Sequence, residues 1–226
     1  MSCLLIFDFD GVIADSEVLA NQTLAEIVTE LGVPTTLSDA YDRYMGKRLP
    51  EVIEAIEGSI GRQLPADFPD FFQSRTLNKF REELQAVSGV YEYLRAFEHI
   101  PRCIASSSSQ DRLWLCLDLL NLRDAFAPHV YSASLVPRGK PHPDILLHAA
   151  AKVGVAPSKS IVIEDSVGGV QAGVAAGMTV IGLLAASHTQ DGHQGKLFQA
   201  GAHFVATSFA EAEAITHGII ADLERS

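Results

Sequence analysis

Apolar residues fall along this chain in two kinds of run, and their alternation predicts the fold. Short runs read as strands buried on both faces, the pattern of a parallel sheet. They are Leu4-Leu5-Ile6-Phe7, Cys103-Ile104-Ala105, Ile161-Val162-Ile163 and Thr179-Val180-Ile181-Gly182-Leu183-Leu184, with weaker ones at Val130-Tyr131 and Phe204-Val205. Between them the spacing turns helical. Helices are expected over about Val90 to Phe97, on Leu113, Trp114, Leu117 and Leu120, and after Asp144 on Ile145, Leu146, Ala149, Ala150 and Val153. Two more are expected over Val167 to Ala176, with Gly177 as its stop, and from about Glu211. This βαβα order predicts an α/β fold with a doubly wound parallel sheet.

One long segment breaks the alternation. From Glu17 to Leu31 a helix is expected, N-capped by Asp15 or Ser16, with Leu19, Thr23, Leu24, Ile27, Val28 and Leu31 on its buried stripe. Gly32 and Pro34 end it. Val52, Ile53 and Ile56, then Phe68, Phe71, Phe72, Leu77, Phe80 and Leu84, continue the helical pattern to about Gln85. The expected organisation is an α/β core of residues 1–14 and 87–226, with residues 15–86 as a small inserted α-helical cap over the sheet's carboxyl end.

Composition narrows the class. A chain of 226 residues can form a core plus an inserted unit, and 47% hydrophobic with 20% charged residues is globular. A net charge of −11 argues against nucleic acid or an anionic membrane as partner. Cys3, Cys103 and Cys116 form no CxxC pair and read as buried free thiols, which suggests a reducing cytoplasm. The first residues lack a basic region, and Asp8 interrupts the apolar run, so no signal peptide is expected. Ser166 to Ser187 is uncharged, but its five glycines and its change of character midway favour a helix packed tightly on a sheet over a membrane span.

The candidate chemistry gathers at the carboxyl edge of that sheet. The first strand runs into Asp8 and Asp10, and Gly11 then lets the backbone turn and approach a ligand. Ser106 follows the second strand, Lys140 lies in the loop Gly139-Lys140-Pro141-His142-Pro143, and Glu164-Asp165 end the fourth strand. Each has an ordinary explanation alone. Ser106 to Ser109 could cap a helix, Lys140 could be solvated, and the paired acids could feed a helix N-terminus. Together, four carboxylates on one edge repel one another unless a cation joins them. Oxygen donors without a His or Cys cluster favour Mg²⁺ over zinc. Val167 to Gly177 does not fit GxGxxG, and His188 and His193, flanking Asp191 in a loop, read as solvated.

Asp8-Phe9-Asp10-Gly11-Val12-Ile13, Ser106, Lys140 and Glu164-Asp165-Ser166 resemble, in order and spacing, the four motifs of the haloacid dehalogenase superfamily. The likeness spans nearly the whole chain and is greatest to its β-phosphoglucomutase-like phosphatases, which carry a helical cap on a Rossmann-like core. The resemblance implies Asp8 as nucleophile, Asp10 as general acid and base, Ser106 on a phosphoryl oxygen, and Lys140 offsetting charge. It implies Mg²⁺ on Asp8, the Asp10 carbonyl and Asp165, with Glu164 as a further or water-mediated ligand. Gly11, Ser107 and Ser108 would line the phosphoryl site. In the cap, Lys47 and Arg48 are candidates to read the substrate, or else form a solvated basic turn.

The reaction implied is hydrolysis of a small phosphorylated metabolite, a sugar phosphate or phosphorylated sugar acid, by a cytoplasmic monomer or weak homo-oligomer. Asp10 argues against dehalogenation, since dehalogenating relatives lack that second aspartate. A phosphomutase is the runner-up, but the hinge histidine of β-phosphoglucomutases has no counterpart in Asp15 to Asn21. A non-catalytic receiver-like phosphoacceptor fits less well, because receivers are shorter and lack a cap.

Overall fold

The computed structural model describes residues 3–45, 47, 49–189 and 192–225. The chain divides into two compact units, Met1–Asp15 with Gln85–Ser226, and Ser16–Leu84.

The larger unit is built on six parallel strands: β1 (Leu4–Phe7), β2 (Arg102–Ser106), β3 (Val130–Ser132), β4 (Ser160–Glu164), β5 (Thr179–Leu183) and β6 (Phe204–Ala206). Their order is β3-β2-β1-β4-β5-β6, a doubly wound parallel sheet as the alternating pattern predicts. β1 is wholly buried because it has strands on both edges and helices on both faces. Its register sets Phe7 opposite Ile104 of β2 and Ile163 of β4. The strand order reverses at β1, so the crevice beyond the carboxyl ends of β1 and β4 is the expected ligand position for such a sheet.

The smaller unit is helical: α1 (Ser16–Glu30), α2 (Leu37–Tyr44), α3 (Leu49–Ile60) and α4 (Phe68–Glu83). Leu24, Ile27, Val28, Ala40, Tyr44, Val52, Ile56 and Phe68 form its core. Thr36 and Asp39 close a capping box at the start of α2. Lys79 and Arg75 of α4 pair with Glu26 and Glu30 of α1 at 2.7 and 2.6 Å. Phe71, part of the apolar pattern, turns outward and lies under the Arg75 guanidinium.

The larger unit resumes with α5 (Val90–Ala96), α6 (Gln110–Leu119), the short α7 (Arg123–Phe126), α8 (Asp144–Val153), α9 (Val167–Ala175), α10 (His193–Gln199) and α11 (Phe209–Arg225). Phe7 meets Tyr93 of α5 and Phe126 of α7 edge-on, while Leu4 and Ile6 point to the opposite face, into a core shared with α8 and α9. The pattern did not announce α7 or α10, both about one or two turns long. α11 starts two residues earlier than expected, because the Ser208 hydroxyl accepts the Glu211 N–H at 3.2 Å. All three cysteines are buried and free. Among the described residues no helix is long and apolar enough to cross a membrane.

The uncharged stretch after β4 is explained by contact distance. A Cβ on Gly173 would lie 2.6 Å from Val180 Cγ2, so α9 can approach β5 this closely only with glycine there. Gly168, on the same helix, has open space around it. Gly173→Ala is therefore expected to destabilise the protein by ~1–3 kcal/mol through overpacking. Gly168→Ala should stabilise it by ~0.5–1 kcal/mol through helix propensity. Urea unfolding of both variants checks the opposite signs.

Candidate active site

Asp8 follows the last residue of β1, and its N–H donates to Ile163 O of β4 at 3.0 Å, so it stands level with the end of β4. Glu164 ends that strand and Asp165 comes next. Ligand oxygens of Asp8, Glu164 and Asp165 lie within 4.8 Å of one another. Lys140 joins this group from the loop before α8. Its Nζ donates to Asp8 Oδ1 at 2.8 Å and also to Glu164 Oε1, and its side chain is only 7% exposed. Glu164 Oε2 accepts the Ser166 N–H and hydroxyl, both at 2.9 Å, and Ser166 in turn caps α9 through the Gly169 N–H. The paired acids and the helix start are thus one hydrogen-bonded unit.

A second group forms around Asp10. Ser108 donates to its Oδ2 at 2.5 Å, and Arg112 forms an ion pair with its Oδ1. Ser106 is buried, and its Oγ accepts the Ser108 N–H at 3.1 Å, holding the loop between β2 and α6. Ser109 is the N-cap of α6 by backbone conformation but makes no side-chain cap bond. The serine run is not simply a cap. Ser107 is exposed.

Gly11 explains how these segments come so close. Its φ is +78°, and a Cβ there would lie 1.9 Å from Asp165 Oδ2. A side chain at this position would displace the carboxylate.

The haloacid dehalogenase-like hydrolase family matches residues 5–183 of the chain. The chain belongs to that family. Among its relatives is the 6-phosphogluconate phosphatase of Escherichia coli, 28% identical over 82% of this chain and 84% of the relative. Hexitol phosphatase B of the same species is 30% identical over 78% of this chain and 81% of the relative. A solved haloacid dehalogenase family hydrolase from Deinococcus radiodurans, with bound phosphate and sodium, superposes with a TM-score of 0.83. It is 34% identical, covering 96% of each chain.

In this haloacid dehalogenase-like hydrolase, the larger unit brings together Asp8, Lys140, Glu164 and Asp165, seats Gly11 against Asp165, and sets Asp10 beside Ser108. Lys140 is not the solvated loop lysine it could have been. Lys47 belongs to the helical unit and is exposed, and Arg48 lies outside the described residues.

One reading needs correction. His188 and His193 are not solvated: His188 Nε2 stands 3.3 Å from Asp165 Oδ2, and His193 Nε2 lies 2.6 Å from the Asp165 carbonyl oxygen. The segment that follows β5 carries His188, and the start of α10 carries His193, to the end of β4, which no local pattern predicts. Asp15, expected as an N-cap, directly precedes α1 and in addition accepts the Ser187 N–H at 3.2 Å and the Ser187 hydroxyl. Arg112 was also missed. Its signal was a cation in the first turn of a helix, where the macrodipole disfavours it unless an anion stands nearby.

The electrostatics follow from burial. Burial lifts the Asp8 carboxyl well above its usual range, Glu164 adds to this, and Lys140 offsets part of it. Asp165 is likewise raised by burial, with His188 opposing. For Lys140, burial works against the charge, but Asp8 and Glu164 outweigh it and hold the ammonium above its ordinary value. A carboxyl raised in the folded state contributes its stability at low pH and loses it as pH rises past the unfolded value, 3.8 for Asp8. Asp8→Asn should therefore melt higher than the wild type in chelator at neutral pH, an advantage that fades as pH falls toward 3.8. Scanning calorimetry across pH decides this; a variant no more stable at neutral pH would contradict it.

Proposed function

We propose that this hydrolase is a Mg²⁺-dependent phosphatase acting on a small sugar phosphate or phosphorylated sugar acid through an aspartyl-phosphate on Asp8. The observation that carries this reading is Lys140, buried between Asp8 and Glu164 at the switch point of the sheet. One ammonium shared by three clustered carboxylates leaves negative charge in excess. The donors are all hard oxygens, which fit Mg²⁺. Asp8, Glu164 and Asp165, with the Asp10 carbonyl, are the groups proposed to hold it. When bound, Mg²⁺ supplies charge neutralisation to the phosphoryl group.

The residues divide the remaining work. An Asp8 oxygen attacks phosphorus, the bond from phosphorus to the leaving oxygen breaks, and Asp10 gives that oxygen its proton. Asp10 then takes a proton from water, whose oxygen attacks phosphorus and frees Asp8 with inorganic phosphate. Lys140 keeps Asp8 oriented and offsets charge on the transferring group. Ser106 and its neighbours Ser107 and Ser108 hold phosphoryl oxygens in this reading, and the Gly11 turn leaves room for them. Arg112 and Ser108 keep Asp10 from wandering between the two half-reactions.

The phosphatase names of the relatives support hydrolysis of phosphate esters, and 6-phosphogluconate and hexitol phosphates are the substrates those names suggest. The absence of histidine from Asp15 to Asn21 favours hydrolysis over phosphomutase transfer. Residues 16–84 are proposed as the unit that selects the leaving group, with Lys47 and Arg48 favouring a second anion on the substrate. The unit is inserted just after the Asp8–Gly11 turn. Its two connections run side by side, with Asp15 N–H donating to Gln85 O at 2.9 Å and Val87 N–H to Ile13 O at 3.0 Å. Buried free thiols support a reducing, cytoplasmic setting.

A panel of sugar phosphates and phosphorylated sugar acids, assayed for phosphate release with Mg²⁺, tests the reading. Chelation should stop release and added Mg²⁺ restore it. Asp8→Asn should show no turnover, and Asp10→Asn should lose ~10²–10⁴-fold in kcat. Undiminished turnover by Asp8→Asn would overturn the covalent mechanism. Conversion of β-glucose 1-phosphate to glucose 6-phosphate as fast as phosphate release would favour the mutase.

A further inference from the structure

We propose that His188 is a positioning residue for the cation site, holding the Asp165 carboxylate in the orientation in which it serves as a ligand. This rests on the proposed function, since it concerns the Mg²⁺ that reading requires. The grip on Asp165 comes from the segment after β5, which touches it at two points. His188 Nε2 stands 3.3 Å from Oδ2, and His193 Nε2 lies 2.6 Å from the carbonyl oxygen. Both oxygens can only accept, so both imidazoles present Nε2–H. The segment is itself anchored, because the Ser187 N–H and hydroxyl both donate to Asp15.

Gly11 confines the pair from the other side. A Cβ on Gly11 would meet Asp165 Oδ2 at 1.9 Å and His188 Cε1 at 2.9 Å, so carboxylate and imidazole lie together on one stretch of backbone. The His188 side chain is 14% exposed. A half-buried imidazole pressed against a glycine and a carboxylate has little freedom to leave.

The physical consequence concerns readiness. Asp165 follows the end of β4 and has no partner strand to fix its side chain, while its neighbour Glu164 is already held by Lys140 and Ser166. Without His188, the Asp165 carboxylate would keep its packing against Gly11 but lose the hydrogen bond that fixes Oδ2, and a cation would have to supply that ordering on binding. Hydrogen-bond partners behind metal ligands are known to set affinity in this way, a loss costing typically ~10–100-fold.

Isothermal titration of Mg²⁺ into the full chain, with nucleotides and substrates absent, reads this directly. The wild type should bind Mg²⁺ at one site. His188→Ala and His188→Leu, which lack a donor, should bind at least ~10-fold more weakly. His188→Gln, whose amide N–H can reach the place of Nε2, should recover most of the affinity. Circular dichroism and melts in chelator report whether each variant is folded, a property a purely structural role would move first. Binding by folded His188→Ala or His188→Leu as tight as the wild type would overturn the proposal. So would a folded His188→Gln as weak as the variants without a donor. A wild type that takes up no Mg²⁺ would instead overturn the proposed function, and this inference with it.

Discussion

Charge crowding at the carboxyl ends of β1 and β4 is the constraint on which the rest of this structure depends. Two like charges about 4 Å apart repel by ~4 kcal/mol at an effective dielectric constant near 20. Oxygens of Asp8, Glu164 and Asp165 lie within 4.8 Å of one another, and Glu164 is wholly buried. Lys140 answers part of that repulsion and Ser166 satisfies part of the Glu164 carboxylate. The imbalance that remains is what the proposed function assigns to a small hard cation.

The scaffold serves that constraint through register and close approach. Parallel pairing of β1 with β4 places the end of one strand beside the end of the other, so Asp8 and Glu164 become neighbours without a long loop. Helix α9 starts at the same level, and its first turn is capped by Ser166, which also binds Glu164. Gly11 lets Asp165 lie against the first loop, and Gly173 lets α9 settle onto the sheet. Small residues here act by distance, because any added carbon would push apart groups whose spacing is the site.

The acids also fall into two separate sets. Asp8 shares Lys140 with Glu164, whereas Asp10 is held by Ser108 and Arg112 from the loop and helix after β2. The two groups to which the proposed mechanism gives different steps are thus tied to different partners. The proposed nucleophile is held by an ammonium, and the proposed proton carrier by a hydroxyl and a guanidinium from a different segment.

The sequence by itself determined the layered α/β class, the helical insertion and the four motif positions, because these rest on local periodicity and on spacing along the chain. Leu4 to Phe7 reads as a buried strand, and the cost of burying carboxylates puts the acids after it at its end. The order and register of the strands, and with them the meeting of Lys140 with both Asp8 and Glu164, needed contacts between residues 24 and 132 positions apart, which no local pattern encodes. Arg112 reaching Asp10, Ser187 reaching Asp15, and His188 and His193 converging on Asp165 were decided by tertiary structure alone. Their local patterns are those of an ordinary helix start and a polar loop, and only the docking of those segments on the sheet brings them to the carboxylates they serve.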